Sequence, residues 1–197
     1  MKKLQITIFI VAFLACMSVN ATLTRVFDTN GQLIGANGVN VDGTLYSVEF
    51  LDGTCIVLFD GCNEPSDFVF MDEAAASAAA NVLSDELLLD ELTTLLDSDP
   101  SLTRGCGTSS FCGILIPFRE EAGRVFSMRF NNAQFDAQDT FIGPIAFTGR
   151  LSTFAVRDDT LTWARFVVQS ETVSEPPLFA LLALACASMG WCMRRST

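Results

Sequence analysis

The chain has 197 residues, half of them hydrophobic, with a mean hydropathy of +0.38, yet 23 acids face 12 bases and the formal net charge is -11. So many apolar residues exclude an extended disordered chain, and 13 Gly and 6 Pro without a recurring period exclude collagen-like and low-complexity readings. A pI near 4.3 argues against nucleic acid as a partner, because phosphate binding needs clustered Lys and Arg, and the absence of His removes catalytic triads and imidazole-ligated metals. The length permits one domain with a real core.

Lys2 and Lys3 precede an apolar run from Ile6 through Met17, followed by Ser18-Val19-Asn20-Ala21. This resembles a secretory signal peptide over residues 1–21, with cleavage by signal peptidase after Ala21. The alternatives are an uncleaved anchor and a lipoprotein signal using Phe13-Leu14-Ala15-Cys16. An exported acidic domain is then expected over residues 22–172.

Within it, Leu33 to Val41 and Thr44 to Phe50 flank Asp42-Gly43. Asp-Gly supplies the positive φ angles of a two-residue turn, and the alternation along the second arm gives one buried face, so a hairpin is predicted. Asp52-Gly53 turns the chain into Cys55-Ile56-Val57-Leu58-Phe59, which Asp60-Gly61 ends; a three-stranded meander over residues 38–60 follows. From Asp72 an Ala-rich run continues to Leu89, with Asp72 as N-cap and Glu73 at the positive end of the dipole. Further turns are expected through Leu92 to Leu96 before Asp99-Pro100 stops them.

Cys112 to Phe118, Val125 to Phe130, Ile145 to Phe147, Leu151 to Val156 and Leu161 to Val168 read as strands. Arg119 to Gly123, Asn131-Asn132 and Arg157 to Asp159 separate them, and Pro117 and Pro144 are placed near strand edges. The predicted fold is α+β, an antiparallel sheet packed by one main Ala/Leu-rich helix, flanked by an N-terminal signal helix and a C-terminal transmembrane sorting helix.

Cys16, Cys186 and Cys192 fall in the apolar ends, which leaves Cys55, Cys62, Cys106 and Cys112 in the body. An even count in an exported chain points to disulfides, and the local pairs Cys55 with Cys62 and Cys106 with Cys112 are favoured over the two other pairings because each closes a loop rich in Gly, Asp or Ser. Zinc is the alternative, but its ligands are usually closer in sequence.

Between Val26 and Thr103 stand fifteen acids and no Lys or Arg. The expected reading is a solvated acidic face. Calcium held by Asp52, Asp60, Asp67 and Asp72, or by Asp97 and Asp99, is the alternative, although no calcium-binding loop pattern is present. Asp60 and Asp67 could also form a glycosidase-type carboxylate pair. No Gly-x-Ser-x-Gly elbow or phosphate loop occurs, and the body holds a single Tyr and a single Trp, Tyr46 and Trp163, whereas sugar sites usually offer such rings. No enzymatic activity, catalytic residue, metal or cofactor is expected.

At the other end, Val173-Ser174-Glu175-Pro176-Pro177 leads into the apolar run Leu178 to Met193, closed by Arg194-Arg195. As a helix those 16 residues span about 24 Å against a bilayer core of about 30 Å, and the arginines would stay on the cytoplasmic side, leaving the body outside. A plain C-terminal anchor is one reading. The arrangement resembles the PEP-CTERM sorting signal of Gram-negative bacteria over residues 173–197, with Ser174 in place of the first Pro of its motif. That resemblance implies an exosortase-type processing enzyme as partner, transient residence in the inner membrane and delivery to the cell surface, often beside exopolysaccharide or other matrix. The body, with Val41-Asp42-Gly43-Thr44-Leu45-Tyr46, Asp52-Gly53-Thr54-Cys55 and Asp97-Ser98-Asp99-Pro100-Ser101-Leu102, is similar to uncharacterised domains of such proteins, a likeness that carries no activity.

Overall fold

Strands β1 (Thr24–Phe27), β2 (Leu33–Val41) and β3 (Thr44–Leu51) open the domain as an antiparallel ribbon. The structure, a computed structural model, describes residues 22–107, 110–134, 139–148 and 160–170. The β2–β3 turn is the expected one: Asp42 and Gly43 have φ of 50° and 86°, and the Gly43 N–H donates to the Asn40 side chain at 2.8 Å. At the bulge between Ala36 and Val39, Gly38 has φ of 74°, and a Cβ there would sit 2.6 Å from the Thr22 carbonyl oxygen. Glycine is required at that position by both sterics and backbone.

The predicted third meander strand is absent. Cys55–Leu58 forms a short α-helix, because the free edge of β3 pairs instead with β7 (Leu161–Val168) from Tyr46↔Val168 to Leu51↔Trp163. A short apolar run can serve either conformation; here Cys55 and Phe59, four apart and therefore on one helix face, are buried while Val57 is exposed.

The main helix, Glu73–Val82, starts as its sequence dictates, with the Asp72 carboxylate accepting the Ala75 N–H at 2.8 Å. It ends in a wider π-type turn, Leu83–Leu87, whose Leu88 N–H reaches the Leu83 carbonyl at 2.9 Å. The helical turns expected over Leu92 to Leu96 do not form. Asp90 accepts the N–H groups of Asp97 and Ser98 and the Ser98 hydroxyl, and so folds the chain back on itself. Asp99-Pro100 opens a 3-10 turn, Pro100–Leu102, rather than ending a helix: Asp99 accepts the Ser101 N–H and proline takes the first helical position.

The second half supplies β4 (Phe111–Glu121), β5 (Arg124–Ala133), β6 (Thr140–Thr148) and β7. Only Ala122-Gly123 forms the β4–β5 turn, so Arg119 to Glu121 lie in β4. Asn131-Asn132 does not separate strands either: both lie in β5, where buried Asn132 donates to the Leu96 carbonyl at 2.8 Å. Pro144 does sit on an outermost strand, β6, but Pro117 sits in an inner strand, accommodated by a register shift between Pro117 and Arg119. The strand proposed for Leu151 to Val156 lies outside the described residues, as do both flanking apolar helices.

The seven strands among the described residues run β1-β2-β3-β7-β4-β5-β6, and β4 pairs with β7 in parallel. The sheet is therefore mixed, which corrects the antiparallel expectation, while the α+β class stands. Insertion of β7 between the halves has a clear signature: Thr162, Trp163 and Ala164 are successive and all buried, as a strand covered on both faces requires. One face, built from Val48, Phe50, Ile114, Met128, Phe130 and Phe166, packs on Ala76, Ala79 and Ala80 of the main helix. On the other, Leu115, Val125 and Trp163 are covered by Phe59, Phe68 and the Cys55–Cys62 segment. No helix among the described residues is long and apolar enough to cross a membrane.

Candidate functional site

The parallel pairing of β4 with β7 spans three residues, Gly113↔Leu161 to Leu115↔Trp163. Beyond it β4 stays with β5 and β7 stays with β3. Where the pairing stops, a cleft of about 420 Å³ opens, with Ile116, Pro117 and Phe166 from the strands and Phe59, Phe68 and Phe70 from the segment that covers them. Its polar lining is Asp60, Ser66, Asp67 and Arg165.

Each polar group has a local origin. Asp60, with φ of 51°, takes the left-handed conformation that lets Asp60-Gly61 turn the chain after the short helix. Asp67 accepts the N–H groups of Asn63 and Glu64 at 2.9 and 3.1 Å, fixing the 3-10 turn Pro65–Asp67. Arg165 pairs with Glu49 across β3 and β7 and donates to the Leu58 carbonyl at 3.3 Å, tying the end of the short helix to the sheet. The cleft thus brings together the two carboxylates singled out as a pair in the sequence, but one of them is committed to the backbone and the neighbouring cation already has a carboxylate partner.

The remaining sequence candidates are scattered through the fold. Cys55–Cys62 and Cys106–Cys112 are both at disulfide geometry, with Cα separations of 5.8 and 5.5 Å, and all four side chains are buried. The two pairs belong to different cores, the first to the covered second face and the second to the main-helix core. The acids considered for calcium do not converge: Asp72 caps the helix, Asp99 caps its 3-10 turn and Asp67 sits in the cleft. Among the described residues no three His, Cys, Asp or Glu side chains are grouped to hold a metal. Ala21, Val173, Ser174, Glu175, Pro176, Pro177, Arg194 and Arg195 lie outside the described residues.

Two charged residues escaped the sequence reading. Arg25 is the one base before Arg104 in residues 22–170. Its guanidinium donates to the carbonyls of Leu87, Leu89 and Glu86 at 2.7, 3.1 and 3.3 Å and pairs with Glu91, so it closes the negative end of the helix from strand β1. Asp139, next to β6, accepts the Ser84 hydroxyl at 2.9 Å and the Ala133 N–H at 3.2 Å. The Arg25–Leu87 and Ser84–Asp139 partnerships leave no spacing signal, since these partners are more than fifty residues apart.

Burial raises the Asp139 carboxyl above its ordinary 3.8, against the lowering effect of its two hydrogen bonds. The native state therefore holds this proton more tightly than the unfolded chain. Its contribution to stability falls as pH rises through 3.8 toward the raised native value, and is flat above that. Asp139→Asn keeps an acceptor and removes the charge, so its denaturation midpoint should gain on the parent's as pH rises from 4 into the neutral range; a difference constant with pH would exclude this account. Asp28 behaves oppositely. The Gln32 and Asn30 N–H groups that it accepts hold it below the usual carboxylate range.

Comparison with protein-family models, with curated proteins and with solved structures finds no match. The class that the geometry defines is a disulfide-closed α+β domain on a mixed seven-stranded sheet.

Proposed function

We propose that this chain is an exported cell-surface or extracellular-matrix protein with a structural or interaction role, and not an enzyme. It is made as a precursor whose residues 1–21 are removed by signal peptidase and whose residues 173–197 are recognised by an exosortase-type enzyme while they lie in the inner membrane. The observation that carries this reading is the pair of buried local disulfides, which belong in the oxidising space reached after export. The acids support it as well: several hold turns and helix starts, and their net charge keeps an exported domain soluble and self-repelling. Exopolysaccharide or another matrix component is the partner class that goes with this route.

Intact mass after cell fractionation tests the proposal. The exported species should begin at Thr22 and lack the tail; a surface species still ending at Thr197 would replace sorting with a permanent C-terminal anchor. A glycan-active hydrolase is the second reading, favoured by the shared position of Asp60 and Asp67 in the cleft. Incubation with polysaccharide should release no oligosaccharide from the parent protein, whereas turnover abolished by Asp60→Asn would establish the hydrolase.

A further inference from the structure

Strand directions place both ends of the described domain on one side. β1 is antiparallel to β2, β2 to β3 and β3 to β7, so the start of β1 and the end of β7 both face the end of the sheet from which the Asp42-Gly43 hairpin projects, β1 beginning opposite Asn37 in the middle of β2 and β7 ending opposite Tyr46. One residue joins them: Asn37 is the register partner of Thr24, and its side-chain oxygen accepts from Ser47 at 2.9 Å and Gln169 at 3.3 Å. The Gln169 N–H also donates to the Leu45 carbonyl at 2.8 Å. Three strand spacings separate β1 from β7, about 15 Å. Ala21 directly precedes this end, and Pro176, six residues beyond Ser170, lies no more than about 22 Å from it.

The opposite end differs in chemistry. Both disulfides are there, Cys55 just beyond the end of β3 and Cys112 at the start of β4. So is a groove lined by exposed Phe27 and Leu95 with Thr93, next in sequence to the wholly solvated Leu92. Asp99 lines that groove, and Asp90 and Glu91 flank Leu92, with Glu91 paired to Arg25. The turns at the hairpin end are close to neutral, with Asp42, Glu120 and Glu121 set against Arg119 and Arg124.

We propose that the precursor stands on the outer face of the inner membrane with the Asp42-Gly43 end toward the lipid and the disulfide-bearing end turned away from it. This rests on the proposed anchoring by the flanking segments. Two anchors leaving one side of a rigid sheet fix which end faces the bilayer, and an anionic lipid surface repels the near-neutral end least. Both processing sites are thereby held near the membrane, while the groove with Phe27 is about 25 Å from the Asp42-Gly43 turn along β2.

The test uses the full chain with Cys16→Ala, Cys186→Ala and Cys192→Ala. It is reconstituted in phosphatidylethanolamine and phosphatidylglycerol vesicles that carry a rhodamine lipid. A donor dye is attached at Thr44→Cys or Thr93→Cys, both exposed positions, one beside the hairpin turn and one in the groove with Phe27. Energy transfer should be about threefold more efficient from position 44, given the strand length between the sites. Equal or reversed transfer from protein that floats with the vesicles overturns the orientation and leaves the anchoring intact. Protein that fails to float overturns the anchoring and the orientation with it.

Discussion

Arg25→Ala should destabilise the domain by about 3 kcal/mol, the upper end of the range for hydrogen bonds to a charged group, and lower its melting temperature by roughly 8 °C. The Arg25 side chain is 11 % exposed and holds the carbonyls that the π-type turn leaves without partners, so truncation strands those acceptors as well as removing a cation from the negative end of the helix. Glu91→Gln is the control. Glu91 is mostly solvated, and losing its charge should cost less than about 1 kcal/mol. Equal effects of the two substitutions, read by thermal denaturation, would show that the ion pair and not the carbonyl cap is what matters.

Removing the Cys55–Cys62 bridge by Cys55→Ser with Cys62→Ser should cost about 2.5 kcal/mol, the chain-entropy estimate for so short a loop. Its second consequence is local. The bridge closes the segment that lays Phe59 on Trp163, with ring centroids 5.6 Å apart, and Trp163 also donates to the Gly53 carbonyl at 3.1 Å. In a Trp191→Phe background, Trp163 emission should move to longer wavelength in this variant. Removing Cys106–Cys112 should cost a similar amount of stability with no such shift, since that pair packs in the main-helix core. A red shift in both variants would mean that the covering segment does not depend on its own bridge. In the exported protein, neither Cys55 nor Cys106 should react with iodoacetamide before reduction.

Parts of the fold are legible in the sequence wherever the decisive chemistry is local. Asp42-Gly43 sets its own turn, Asp72 caps the amides three residues away, and the Leu161–Val168 run has the same bounds in both readings. The paired cysteines lie six and seven residues apart, close enough for loop composition to favour them. The cleft was legible only in fragments. Asp60 and Asp67 stand out as carboxylates, but Ile116, Arg165 and Phe166 join them through strand order, which leaves no mark at short range.

The errors have a common origin. Cys55–Leu58 is apolar enough for a strand, but a strand needs a free edge, and that edge of β3 belongs to a segment more than a hundred residues later. Asn131-Asn132 has turn chemistry, yet Asn132 finds a buried acceptor in Leu96 and stays in β5. Asp99-Pro100 is a helix stop only if a helix precedes it; with the chain folded back by Asp90, the same dipeptide starts a turn.

The sequence by itself determined the acidity, the hairpin, the helix start and the local disulfides, because each depends on a few neighbouring residues whose backbone preferences and charges act within one or two turns of chain. The tertiary structure alone decided that β7 lies in parallel beside β4, that Arg25 closes a helix sixty residues away and that burial keeps a proton on Asp139 at higher pH. Those features arise from contacts that pay chain entropy only once the whole sheet has assembled, so no local pattern encodes them.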